Sequence, residues 1–189
     1  MKHLGFDIAL TGEMRSGKDT IFKILEELGY MVHRVAFGDE LKSQFHKTFE
    51  DIPESPKPIQ HYIDYGQACR AIDEDVWVKA LSKTVLRTYR QTLMPSNFVI
   101  TDVRQPNEFK YARDNKYVII KVEASDGLRV MRMEELGEKF DPDLFSQPTE
   151  LHMKTQKYDY IIHNHTTDIE ELKVSVERLI NQIRKDRGL

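Results

Sequence analysis

The chain has a single cysteine, Cys69, and a single tryptophan, Trp77, among its 189 residues. One cysteine excludes an internal disulfide and any zinc site built from several thiolates, and it fits a reducing compartment. Cys69 itself reads as a small packed residue. Long apolar runs are missing too: no stretch approaches the roughly 20 apolar residues that span a bilayer, and residues 1–10 are interrupted by Asp7, so they make no signal-peptide core. These absences predict a cytoplasmic protein without a membrane partner. Nor is there an excess of one charge. With 28 Lys and Arg against 31 Asp and Glu, the net charge of -3 offers no basis for a stable nucleic-acid partner, which needs clustered cations. Internal repeats and low-complexity tracts are also lacking.

What the chain does have is 40% apolar and 31% charged residues, the balance of one packed globule of ordinary size. A single domain over residues 1–189 is expected. Five short apolar runs, at residues 6–11, 32–37, 98–101, 117–122 and 158–163, read as buried strands. Between the first two, Ile21, Phe22, Ile24, Leu25 and Leu28 recur at helical spacing over residues 18–28, and Gly29 stands as a stop. Residues 59–92 read as two helices broken near 72–75, 106–115 as a crossover helix with Pro106 in its first turn, and 168–187 as an amphipathic closing helix. Residues 50–58 and 128–148 read as irregular. Strands alternating with helices predict a three-layer α/β fold with a five-stranded parallel sheet, its ligands at the carboxyl ends of the strands.

Gly12-Glu13-Met14-Arg15-Ser16-Gly17-Lys18-Asp19-Thr20 follows the first strand and opens the first helix. Two glycines five apart with Lys after the second have the GxxxxGK spacing of a phosphate-binding loop. Glycines let backbone amides turn inward, the helix N-terminus adds positive potential, and the Lys reaches the outer phosphates. Gly12, Met14, Arg15, Ser16, Gly17, Lys18, Asp19 and Thr20 are therefore the candidate ATP contacts, with Lys18 also catalytic. The position after the Lys, where Ser or Thr usually helps to hold magnesium, carries Asp19, whose role is open. Thr20 takes a phosphate role. The plain alternative is a Gly-containing turn with a solvated Lys.

A second constellation lies at the end of the third apolar run, in Thr101-Asp102-Val103-Arg104-Gln105-Pro106-Asn107-Glu108. In the expected fold this end faces the cradle. Asp102 could hold magnesium, directly or through water, or orient an acceptor. Arg104 could bind an acceptor phosphate in a bidentate manner, and Glu108 could hold Arg104 or touch the acceptor. Against this stands a purely structural pattern in which Asp102 caps the next helix and Arg104 pairs with Glu108.

Together with Ala36-Phe37-Gly38-Asp39-Glu40-Leu41-Lys42, Asp73-Glu74-Asp75-Val76-Trp77-Val78-Lys79 and Asp159-Tyr160-Ile161-Ile162-His163-Asn164, these segments resemble the bacteriophage deoxynucleoside monophosphate kinase family, in order over nearly the whole chain. The resemblance implies a P-loop NTPase fold, ATP and Mg²⁺ as cofactors, and a homodimer. It further implies a helical acceptor-binding insertion at about 39–92 and a lid at about 128–148 that excludes water. Lys42 and Arg70 would face the acceptor nucleotide, and Trp77 would be structural. Arg129 and Arg132 would bring charge to the transferring group. Glu150, in Gln147-Pro148-Thr149-Glu150 where relatives tend to carry His-x-Ser-Glu, would be an acceptor contact. Read without the resemblance, Lys42 is solvated surface, Arg70 pairs with Asp73 or Glu74, and the two lid arginines form a basic face beside Glu134 and Glu135.

The expected reaction is phosphoryl transfer from ATP to a (deoxy)nucleoside monophosphate. Two alternatives keep the cradle: a kinase for another small phosphorylated metabolite, and a nucleotide-binding module without catalysis. His163-Asn164-His165 spells a nuclease-like tripeptide, but it reads as a strand-end turn with no metal-binding partner around it, and His46 and His61 have no second ligand at a metal spacing.

Overall fold

The computed structural model describes residues 2–92, 96–137, 153 and 155–189. The chain runs β1 (Ile8–Thr11), α1 (Lys18–Glu27), β2 (Val32–Val35), α2 (Phe37–Thr48), α3 (Ile59–Ile72), α4 (Val76–Gln91) and β3 (Asn97–Val103). It continues with α5 (Pro106–Asp114), β4 (Val118–Glu123), α6 (Asp126–Glu135), β5 (Tyr160–His163) and a closing helix, α7 (Ile169–Asp186). All strand pairs are parallel, in the order β2-β3-β1-β4-β5. The connection after β1 leads outward to β2 and the one after β3 crosses back to β4. The crevice between β1 and β3 is thus the point where such sheets bind ligands.

Side-chain alternation along the strands sorts the core into two halves. Ile8 and Leu10 of β1, Val99 of β3 and Val118, Ile120 and Val122 of β4 pack on one face with Ile21, Ile24 and Leu25 of α1 and Leu172, Val176, Ile180 and Ile183 of α7. Ala9, Phe98, Ile100 and Ile119 point to the other face, against Phe37 and Leu41 of α2, Trp77 and Leu81 of α4 and Phe109 and Ala112 of α5. Helices cover both faces, which is why the strands read as continuous apolar runs. Trp77 is fully buried, its Nε1 donating to Gly66 O at 3.4 Å.

Two expectations are corrected. The second strand ends at Val35, and Phe37 begins a helix. Ala36, at the N-cap, has no side chain to hold the first amides. The missing cap is supplied by Asp102, 65 residues downstream of Phe37, which accepts from the Phe37 and Gly38 N–H groups at 2.8 Å each. Residues 126–135, most of them inside the segment expected to be irregular, form α6. Arg129 and Met133, four apart, are the face this helix buries. Gly137 lies beyond its end, and Pro142 and Pro148 fall outside the described residues. Among the described residues no helix is long and apolar enough to cross a membrane.

Candidate active site

The loop between β1 and α1 is built from backbone turns that side chains would obstruct. Gly12 has φ 138° and Gly17 φ 102°, and Arg15 between them also has positive φ, at 62°. A Cβ on Gly12 would lie 2.2 Å from Val122 O, and one on Gly17 would lie 2.2 Å from Asn164 Nδ2. Glycine is required at both by conformation and by space. Gly17 is the N-cap of α1, so the loop delivers the amides of the helix N-terminus to the same concavity. Lys18 is buried, and its Nζ donates to Gly12 O at 2.6 Å and Glu13 O at 2.9 Å, with Ser16 Oγ at 3.5 Å. The ammonium therefore lies within the loop itself.

Three side chains hold the loop from behind. Asn164, 2% exposed, follows β5 directly and donates from Nδ2 to Ser16 O at 2.7 Å, while its own N–H donates to Glu123 O at 2.7 Å. Arg132 donates to Arg15 O at 3.1 Å through Nη1, and through Nη2 to Asn164 Oδ1 at 3.2 Å and Thr166 O at 3.0 Å. Arg129 is 1% exposed; its Nε donates to Met14 O at 2.8 Å, and its Nη1 meets Asp126 at 2.8 Å and Glu13 at 3.3 Å. Sequence reasoning aims both arginines at a transferring group. The fold instead buries Arg129 beneath the loop, away from the cavity, because loop carbonyls and two carboxylates demand a buried donor fork. Arg132 both holds the loop and reaches the cavity wall.

The cavity in front of the loop has a volume of about 800 Å³, within the range of small-molecule sites. It is lined by Met14, Arg15, Gly17, Lys18, Asp19 and Thr20 of the cradle and by Arg34, Lys42, Arg70, Asp102, Arg104 and Glu108 from other elements. Every candidate among the described residues except Gly12, Ser16 and Arg129 thus reaches one cavity, and Gly12 and Ser16 touch Lys18 from within the loop. Glu150 and residues 138–148 of the expected lid lie outside the described residues.

The rest of the cavity wall is tied together by carboxylates. Asp102 caps α2 rather than the helix that follows it in sequence, and burial pushes its pKa up against the pull of the Gly38 and Phe37 amides and of Arg104. Glu108 Oε2 accepts from the backbone N–H of Arg104 at 2.7 Å and of Gln105 at 2.9 Å, closing the first turn of α5. Its Oε1 lies 3.5 Å from Arg70 Nη2. Arg70 thus pairs with Glu108, not with Asp73, which Lys79 takes at 2.7 Å. Burial, then the charge of Asp102, pushes Glu108 up to about 7. Asp19 and Asp39 both pair with Arg34, at 3.1 and 2.8 Å, and Lys42 lies 3.6 Å from Asp39.

Arg34 and Asn164 carry no mark of function in the sequence: one is a polar position in an edge strand, the other the middle of a strand-end tripeptide. A third group missed there forms an apolar slot in the cavity, from Phe37, Leu41, Tyr62 and Ile63 with the Gln67 amide beside them. Tyr62 is held by its hydroxyl, 2.6 Å from His46 Nε2.

The arrangement suits two kinds of ligand. The cradle, closed to any Cβ at Gly12 and Gly17, fits a polyphosphate chain. Asp102 and Thr101 both line the cavity, and each carries an oxygen of the kind hard divalent cations take. Thr101 Oγ1 is buried and has no hydrogen-bond partner among the described residues.

No curated protein sequence matches the chain. Among solved structures, a Thermus thermophilus protein is similar over 96% of this chain and 97% of its own, with 16% identity and a TM-score of 0.60. Shikimate kinase from Bacteroides thetaiotaomicron matches over 95% and 98%, with 14% identity and a TM-score of 0.58. Dephospho-CoA kinase from Campylobacter jejuni matches over 98% and 100%, with 14% identity and a TM-score of 0.53. At such identities the likeness is one of fold, the three-layer α/β fold of P-loop kinases with its five parallel strands. A family model described as an AAA domain matches residues 8–143, from the first strand through the cradle and past α6, and the chain belongs to that AAA domain family.

Proposed function

We propose that the protein is a kinase that transfers a phosphoryl group from ATP to the phosphate of a (deoxy)nucleoside monophosphate, as in the bacteriophage deoxynucleoside monophosphate kinases it resembles. The observation that carries this reading is that Arg34, Lys42, Arg70 and Arg104 line the same cavity as Lys18. A cradle alone needs one polyanion; further basic side chains in the same cavity suit an acceptor that also carries a phosphate. The slot of Phe37, Leu41, Tyr62 and Ile63 beside the Gln67 amide favours a flat base with hydrogen-bonding edges over a hydroxylated ring such as shikimate.

Magnesium-bound ATP, when present, supplies the phosphoryl group and spreads its charge over the metal. Lys18 and the amides of the cradle hold the donor phosphates, and Asp102 with Thr101 would hold the metal or its water. Arg104 and Arg70 orient the acceptor phosphate so that one of its oxygens bonds to the γ-phosphorus as the bond to the ADP oxygen breaks. That oxygen is already anionic at neutral pH, so no general base is needed. Arg132, at the rim of the cradle, is the arginine of α6 that can meet charge developing on the transferred group. Arg129 acts indirectly, by holding Met14 O.

The test is ADP release from ATP and magnesium against a panel of ribo- and deoxynucleoside monophosphates, with Lys18→Ala as control. Stimulation by one or a few members, lost in the variant, is the expected result. Stimulation only by other phosphorylated metabolites would transfer the reading to the wider group of small-molecule kinases. ATP binding with no acceptor-dependent turnover would leave a nucleotide-binding module.

A further inference from the structure

His163-Asn164-His165 reads from sequence as a strand-end turn without metal-binding neighbours. The fold supplies a neighbour. β5 pairs with β4 in the register Glu123↔His163, so the carboxylate stands across from the first histidine. His165 is two residues further on, and a period of two returns it to the same side of the chain. The two rings lie nearly parallel, 26° apart in tilt, with centroids at 5.6 Å, and His163 Nδ1 is 3.1 Å from Glu123 Oε2. Ligand atoms of all three residues lie within 4.8 Å of one another, the one such convergence of His, Cys, Asp or Glu among the described residues. The other carboxylate oxygen, Oε1, is held by Lys121 Nζ at 2.7 Å, which orients the group. None of the three lines the cavity.

We propose that Glu123, His163 and His165 form a binding site for a late first-row divalent cation of the zinc class, separate from the magnesium of phosphoryl transfer and attached to the back of the cradle. Two imidazoles and one carboxylate, with an open position for water, are a zinc-type ligand set, and imidazole selects against magnesium. Zn–N bonds of about 2.0–2.1 Å would draw the ligand atoms to roughly 3.3 Å apart. The Glu123–His163 pair has that spacing already, and His165 is exposed. The residue between the histidines is Asn164, whose amide holds Ser16 O. A cation bound on both sides of Asn164 therefore ties β4 to the chain segment that fixes the phosphate loop, and it should stiffen the cradle.

Calorimetric titration of the full chain, without an affinity tag, with ZnCl₂ in a magnesium-containing, phosphate-free buffer tests this without relying on any activity. One saturating equivalent is expected. His163→Gln/His165→Gln should weaken it by more than the roughly 10–100-fold that loss of an outer-shell partner costs, with Glu123→Gln smaller in effect. Zinc should raise the melting temperature of the wild type and leave that of the double variant unmoved, and Co²⁺ should give a ligand-field absorption band that the variant lacks. All three positions are at the surface, and the circular dichroism of each variant should match the wild type. Absence of saturable binding would overturn the proposal. So would binding of equal strength in the double variant, or a site that magnesium fills equally well.

Discussion

The two sides of the cavity are made differently. The cradle is one contiguous stretch, Gly12 to Thr20, whose shape comes from backbone angles and whose charge comes from helix amides and Lys18. The rest of the wall is made of side chains from β2, α2, α3, β3 and α5, brought together by paired carboxylates: Asp102 at the start of α2, Glu108 at the start of α5 with Arg70, and Asp39 on Arg34, which Asp19 of the cradle also meets. A backbone-built site tolerates little, since at Gly12 or Gly17 even one methyl group would collide. A side-chain-built site can be changed piece by piece. On the proposed reading, the donor side is thus suited to a fixed ligand and the acceptor side can be altered one residue at a time.

The sharpest way to break this contrast is Lys18→Ala. It should lower turnover about 10²–10³-fold, in the range seen when one preorganised charge donor is removed, with acceptor binding retained; loss of acceptor binding in calorimetry would merge the two sides into one. Arg104→Ala should do the reverse, raising the acceptor KM about 10–100-fold, as for a charge-assisted bond worth about 1.5–3 kcal/mol, with the KM for ATP little changed.

Glu108 gives a pH signature on the acceptor side. Its carboxyl ionises at about 7 in the folded chain against 4.5 as the ordinary value, so between these the folded state holds a proton that the unfolded state releases. Stability should then fall as pH rises through that window, by about 3 kcal/mol at most. Glu108→Gln should flatten the profile when denaturant midpoints are followed from pH 4.5 to 8; an unchanged slope would remove Glu108 as its source. The smallest effect on stability is expected for Asp102→Ala, about 1–2 kcal/mol from the lost cap of α2. Its signature is fraying of α2 in hydrogen exchange, with α5 left protected. Asp102→Asn, which keeps one acceptor oxygen, should fall between.

Much of this was legible in the residues. The five strands, the cradle and the convergence of Asp102 and Arg104 toward Lys18 follow from apolar periodicity and from a motif whose parts are neighbours in the chain. Phe37 was read as the end of a strand because nothing local starts a helix there; its cap comes from Asp102, on another strand. The sequence aims Arg129 at the transferring group because helical spacing does not reveal what a helix packs on, and here that is Met14 O. The partner of His163 was overlooked because Glu123 is adjacent only through the pairing of β4 with β5.

By itself the sequence determined the parts of this protein that depend on short range: strands and helices from periodicity, and the phosphate loop from glycine's freedom at positive φ. Tertiary structure alone decided which polar and charged side chains became neighbours. That choice sets the pairing of Arg70 with Glu108, the Asn164 clamp on Ser16 and the Glu123–His163–His165 cluster. The physical reason is that side-chain electrostatics act over a few ångströms of space, whatever the distance along the chain, and only the packed sheet brings these groups that close.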